Sequence, residues 1–98
     1  MPGSPEPLRR SPAIRAIYNN LQDYVQKVAE TEGRVREGDF ALELATQIDK
    51  KVRLVKPNGW RGHQAKENVI QNALLPLFDK NENEVRKIFE IIKQQKEY

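Results

Sequence analysis

His63 is the only histidine of this 98-residue chain, and there is no cysteine. A two-histidine zinc site therefore cannot be built, and thiolate metal sites, disulfides and cysteine nucleophiles are excluded. For general-base work His63 would need a reactive hydroxyl beside it. The chain offers few: Ser4 and Ser11 lie near the start, and Thr31 and Thr46 have no obvious partner in the sequence. The acidic pairs Glu30/Glu32 and Glu82/Glu84 sit at predicted helix edges, where carboxylates are ordinary surface groups, and spacing alone does not make an acid–base couple. Gly59-Trp60-Arg61-Gly62 lacks the glycine spacing and the lysine of a phosphate-binding loop. The pattern predicts no catalytic, cofactor-binding or metal-ligating residue.

Two features remain. From residue 50 to residue 66 there are six basic side chains (Lys50, Lys51, Arg53, Lys56, Arg61, Lys66) and no acidic one, although the net charge is only +3. One reading is a solvated helix end, where cations complement the helix dipole. The other is a patch for phosphate or for an acidic partner. Within this stretch stands the sole tryptophan, Trp60, with Arg61 and Lys56 beside it. It either plugs the end of a helical bundle or anchors an interface, where tryptophan and arginine are over-represented, or it stacks on a base.

The elements that position these residues follow from hydrophobic spacing. Residues 1–10 hold three prolines and a glycine and read as a disordered lead-in or a cloning seam. Ser11-Pro12 then supplies an N-cap hydroxyl and a proline at the first helical position. A helix over 12–30 carries Ile14, Ile17, Tyr18, Leu21, Tyr24, Val25 and Val28 on one stripe. Gly33 and Gly38 place a loop over 30–39, and Asp39 is the expected cap of a helix over 40–55. That helix buries Ala41, Leu44, Ala45, Ile48, Val52 and Val55, with Lys50 and Arg53 turned away. Pro57-Asn58-Gly59 ends it in a turn. A third helix over 64–78 carries Ala65, Val69, Ile70, Ala73, Leu74 and Leu77. Pro76 removes a backbone donor there, so its last turn should kink or become irregular. Asn81 and Glu84 resemble a capping box ahead of a fourth helix over 82–97, with Val85, Ile88, Phe89 and Ile92 at i, i+3, i+4 and i+7.

Four amphipathic helices and no strand predict an all-α chain, one compact four-helix bundle over residues 11–98. Its expected core includes Ile14, Leu21, Leu44, Ile48, Val69, Leu74, Phe89 and Ile92. Phe40 and Ile91 lie off the main stripes, and the spacing does not say whether they are exposed. No apolar run approaches a membrane span, and the start has no apolar signal core, so no membrane contact and a cytoplasmic location are expected.

Two segments, KPNGWRGHQAKENVIQNAL (56–74) and VRKIFEIIKQQKEY (85–98), resemble the extreme C-terminus of the restriction, or motor, subunit of type I restriction–modification enzymes. In that family a basic loop with a W-[RK]-G core, here Trp60, Arg61 and Gly62, precedes a helix. A final helix ends near K-x-Q-x-E-Y, here Lys93 to Tyr98. SPAIRAIYNNL (11–21) is similar to the helix after the family's motor region, so the resemblance covers residues 11–98. It implies that this chain is the C-terminal helical domain of such a subunit, which elsewhere carries a nuclease domain and two ATPase domains. None of those catalytic motifs is present here, and the ATP and Mg of the parent enzyme would bind outside this domain.

The implied role is attachment of the ATP-dependent translocase to the modification and specificity subunits of the methyltransferase core. Trp60, Arg61 and Lys56, with Arg53 and Lys50 nearby, are the candidate contacts. The alternative is a small basic helical DNA-binding module using the Lys50–Lys66 patch. Fourteen acidic residues limit that footprint, and a weak duplex DNA contact is compatible with docking.

Overall fold

In the computed structural model, residues 11–32 and 40–98 are described. The expected lead-in at 1–10, most of the glycine loop and the proposed Asp39 cap lie outside them. The described residues form five α-helices and one 3-10 turn: α1 (Pro12–Asn20), α2 (Gln22–Glu32), α3 (Phe40–Val55), α4 (Gln64–Leu74), the 3-10 turn (Leu75–Phe78) and α5 (Glu82–Lys93). The chain is all-α, with five helices where four are expected. No helix among the described residues is long and apolar enough to cross a membrane.

α1 opens as its sequence dictates. Ser11 is extended, and its hydroxyl accepts the Ile14 amide at 3.1 Å, with Pro12 in the first turn. The expected single helix over 12–30 breaks at Leu21, whose amide donates three residues back to the Tyr18 carbonyl at 3.1 Å. Side-chain amides surround the break. Asn20 Nδ2 donates to the Ala16 carbonyl at 2.7 Å and Gln22 Nε2 to that of Tyr18 at 2.9 Å. Polar side chains that compete for helix carbonyls weaken the ladder there. The stripe survives the break, because Ile14, Ile17, Leu21 and Tyr24 are all buried.

α3 has the expected bounds, with Ala41, Leu44, Ala45, Ile48 and Val52 buried. Asp49 is buried among them. Phe40 and Val55 are half-buried against the core, and Ile91 on α5 is half-buried. The next helix departs from expectation on one face. Ile70, Leu74 and Phe78, four residues apart, are fully buried, whereas Val69 is 47% exposed. Val69 is therefore not a core residue. It lies one residue, about 100° of helical rotation, off the buried ridge. Pro76 does disturb the last turn, which tightens into the 3-10 segment and ends with Asp79 and Lys80 in left-handed conformation.

Asn81 caps α5 by accepting the Glu84 amide at 3.2 Å. The reciprocal half of the expected box is replaced, since the Asn81 amide donates to the Phe78 carbonyl. The buried Glu84 carboxylate instead meets Lys27 of α2 at 3.6 Å and Lys87 at 3.5 Å. α1 packs on α3 and α5, and α3 packs on α4. Tyr24 of α2 meets Phe78 edge-on at 4.9 Å between centroids.

The α4 ridge gives a direct check. Ile70→Ala should lower unfolding free energy by about 2–5 kcal/mol. Val69→Ala beside it should change stability by about 0.5 kcal/mol or little more, both read from urea midpoints.

Candidate functional site

Trp60 follows the turn that ends α3. Lys56 closes the helix by donating its amide to the Val52 carbonyl at 2.9 Å. Gly59 then takes φ +68° and Gly62 φ +77°, a region glycine enters without the penalty a side chain pays. Lys66 Nζ donates to the Asn58 carbonyl at 2.7 Å, and the Gly62 amide donates to Glu67 Oε2 at 2.9 Å. The loop is thus pinned to the first turn of α4. His63 stands at the N-cap of α4, exposed, with no side-chain capping bond.

The loop carries Trp60 into the core rather than onto the surface. The indole is 3% exposed and tilts against Phe89 at 5.8 Å. Its Nε1 donates to the Tyr98 main-chain oxygen at 3.3 Å. Arg61 stacks over the indole at 4.6 Å. Its guanidinium donates to the carbonyls of Lys93 and Gln95. Those carbonyls belong to the last helical residue of α5 and to the turn beyond it, where backbone acceptors are left without helical partners. Arg61 is therefore a remote cap for α5, and it helps to explain why that helix stops at Lys93 instead of running to residue 97.

Arg53 completes the arrangement. Its Nε lies 2.9 Å from Asp49 Oδ1 and its Nη2 2.6 Å from Glu97 Oε2, and its guanidinium sits over the Tyr98 ring at 5.0 Å. The Tyr98 hydroxyl donates to Asp49. Glu97 also accepts the Ser11 hydroxyl at 3.1–3.2 Å and the Ala13 amide at 2.9 Å. That places a carboxylate at the positive end of α1, where the helix dipole favours it. Residues 94–98 thus tie together the start of α1, the middle of α3 and the Trp60 loop.

The ionisation states follow. Burial alone would raise the Glu97 pKa, but the Ala13 amide, Arg53 and Ser11 together hold it below the ordinary carboxylate value. Burial alone would lower Arg53, but Asp49 and Glu97 reverse this and raise it. Burial first, then the bond to Asp49, pushes the Tyr98 phenol above its ordinary range, so it stays protonated and donating at neutral pH.

The expected contact residues therefore divide. Trp60, Arg61 and Arg53 are engaged within the domain, and Trp60 offers a partner no face as the domain stands. Lys50 is exposed and Lys56 half-buried, and the side chain of neither makes a hydrogen bond or ion pair among the described residues. Leu54, one turn after Lys50, is 78% exposed. Sequence reasoning missed Asp49, Glu97, Tyr98 and the second role of Ser11. A signal was present in Asp49, an acid on the apolar stripe of α3 with an arginine four residues on.

Among the described residues no group of three or more histidine or acidic side chains could hold a metal. The two grooves described lie elsewhere, one lined by Asn68, Gln71, Asn72, Leu75 and Arg86 among others, the second by Tyr24, Val28, Phe78 and Glu84 among others. Comparison with family models, with curated proteins and with solved structures finds no match.

Two outcomes follow from the tail. Trp60→Ala should cost about 3–5 kcal/mol of stability, measured by denaturant unfolding, because it empties a core position. Glu97 has a depressed folded pKa, so its contribution is present above its ordinary value of 4.5 and is lost as pH falls through the folded value. Glu97→Gln should lower Tm at pH 7 and flatten the acid fall of Tm below about pH 4.5, relative to wild type, in thermal melts across pH 2–7.

Proposed function

We propose that this chain is a non-catalytic assembly domain of a type I restriction enzyme's motor subunit, docking the nuclease and translocase onto the methyltransferase core. One observation carries the reading. The two motif segments that resemble the family, the W-R-G loop and the K-x-Q-x-E-Y end, meet in one packed unit through Trp60, Arg61 and Tyr98. A motif whose residues hold one another in place suits an architectural domain. In this reading ATP and Mg serve other parts of the parent enzyme, and the partners are its modification and specificity subunits, in the cytoplasm.

The contact surface then consists of what the tail leaves outward. Lys50 and Leu54, exposed one turn apart on α3, set a positive charge beside an apolar side chain, and half-buried Lys56 follows at the helix exit; such charge would steer an acidic partner surface. Replacing Trp60 and Arg61 is a poor test of docking, because both changes strike the fold first.

The second reading is duplex DNA binding by the Lys50–Lys66 stretch. Its footprint is reduced by the engagement of Arg53 with carboxylates and of Arg61 and Lys66 with main-chain carbonyls.

The domain should be captured by a type I methyltransferase complex from the same source in the absence of DNA. The folded double variant Lys50→Glu/Leu54→Asp should lose capture by tenfold or more. No capture of wild type would overturn docking. If duplex DNA then bound with an affinity falling steeply between low and high salt, the second reading would replace it.

A further inference from the structure

We propose that the cleft formed by Ser11, Ala13, Asp49, Arg53 and Trp60 is a recognition site for an acidic–aromatic segment, a glutamate followed directly by a tyrosine. The domain fills it with its own residues 97 and 98, and a partner segment of the same chemistry takes their place. The cis occupant displays the recognition chemistry. The carboxylate of Glu97 receives three donors, the Ser11 hydroxyl, the Ala13 amide and the Arg53 guanidinium. The phenol of Tyr98 donates to Asp49 while its ring lies under Arg53. The Trp60 indole donates to the Tyr98 main-chain oxygen, which any peptide supplies. Carboxylate, hydroxyl and backbone are thus each read by a different group, and the spacing between them fixes the order glutamate then tyrosine.

The tail is attached in a way that allows exchange. α5 ends at Lys93. Beyond Gln95, the described main-chain bond is the Tyr98 amide to the Gln95 carbonyl, at a long 3.4 Å. Residues 97 and 98 are therefore held by cleft side chains more than by helix. Water reaches the contact, with the Arg53 side chain 43% exposed and that of Glu97 29% exposed. Segments with few ladder bonds and solvent-accessible contacts open locally at lower cost than a core helix. An incoming segment recovers the same donors that the tail releases, so exchange leaves no buried charge unpaired. The docking reading supplies the need for a partner; the cleft itself stands on the geometry and is tested with a peptide alone.

The test begins with the wild-type chain. Hydrogen exchange followed by NMR should show the Trp60 indole N–H exchanging tenfold or more faster than the amides of Ile48 and Val52. Equal rates would mean that the tail leaves only on global unfolding and would overturn the proposal. Next, an acetylated, fluorophore-labelled peptide of sequence KQQKEY is titrated into the full-length Glu97→Ala/Tyr98→Ala chain, with circular dichroism verifying its fold. Saturable binding is expected, tenfold or more weaker to wild type, where the tail competes, and lost when the peptide glutamate is replaced by glutamine and its tyrosine by alanine. A folded variant that ignores the peptide sinks the proposal. Should the double variant fail to fold, Glu97→Gln takes its place beside wild type at peptide concentrations high enough to compete with the tail, where tighter binding than to wild type supports the cleft and affinity no higher than wild type's overturns it. Capture of the methyltransferase complex without peptide binding would remove the cleft and leave docking standing; peptide binding without capture would do the reverse.

Discussion

Asp49 is buried on the apolar face of α3, and an acid in that position is tolerated only if its charge is answered. Arg53, one turn later, supplies the opposite charge. A guanidinium carries more donors than one carboxylate can use, and Glu97 takes the remainder while Tyr98 donates its hydroxyl to Asp49. The requirement of one buried carboxylate thus reaches the last two residues of the sequence. Through Glu97 it extends to the start of α1, and through the main chain of Tyr98 to Trp60. Four regions far apart in sequence share one polar network.

A small domain buries a modest share of its surface and has little stability in reserve. Five short helices could slide or splay, and apolar packing alone tolerates several arrangements of similar volume. Hydrogen bonds with defined partners discriminate among them. Arg61 capping α5, Glu97 capping α1 and Glu84 joining α5 to α2 each fix a helix end or register. The residues that look most like an exposed interface in the sequence are the ones used for this purpose. What they leave outward, Lys50 and Leu54, is the surface on which the docking proposal rests.

Local signals were legible where one residue decides the matter. Ser11-Pro12 began α1, Pro57 ended α3, Pro76 spoiled the turn after α4, and Asn81 capped α5. The i, i+3, i+4, i+7 set of α5 is buried as read. The break at Leu21 was hidden because a stripe continues across it, and only the side-chain amides of Asn20 and Gln22 betray it. Val69 was misplaced because an apolar residue beside a buried ridge has the same composition as one within it. The C-terminal stop of α5 was not legible at all, since the group that caps it, Arg61, lies 32 residues from the Lys93 carbonyl it satisfies. Trp60 kept two readings open for the same reason: whether an indole is exposed depends on what covers it, and the cover is Tyr98 and Phe89. The identity of the site as a polar network required the tail's path, which no periodicity encodes.

The network depends most on the coupling between Asp49 and Tyr98, and a double-mutant cycle reads it most directly. Unfolding free energies would be measured for wild type, Asp49→Asn, Tyr98→Phe and the double variant. A coupling of about 1 kcal/mol or more, within the roughly 0.5–3 kcal/mol seen for residues in one network, is the predicted result. Single effects that add to within about 0.3–0.5 kcal/mol would contradict it, and would mean that the tail rests on the domain without holding it together.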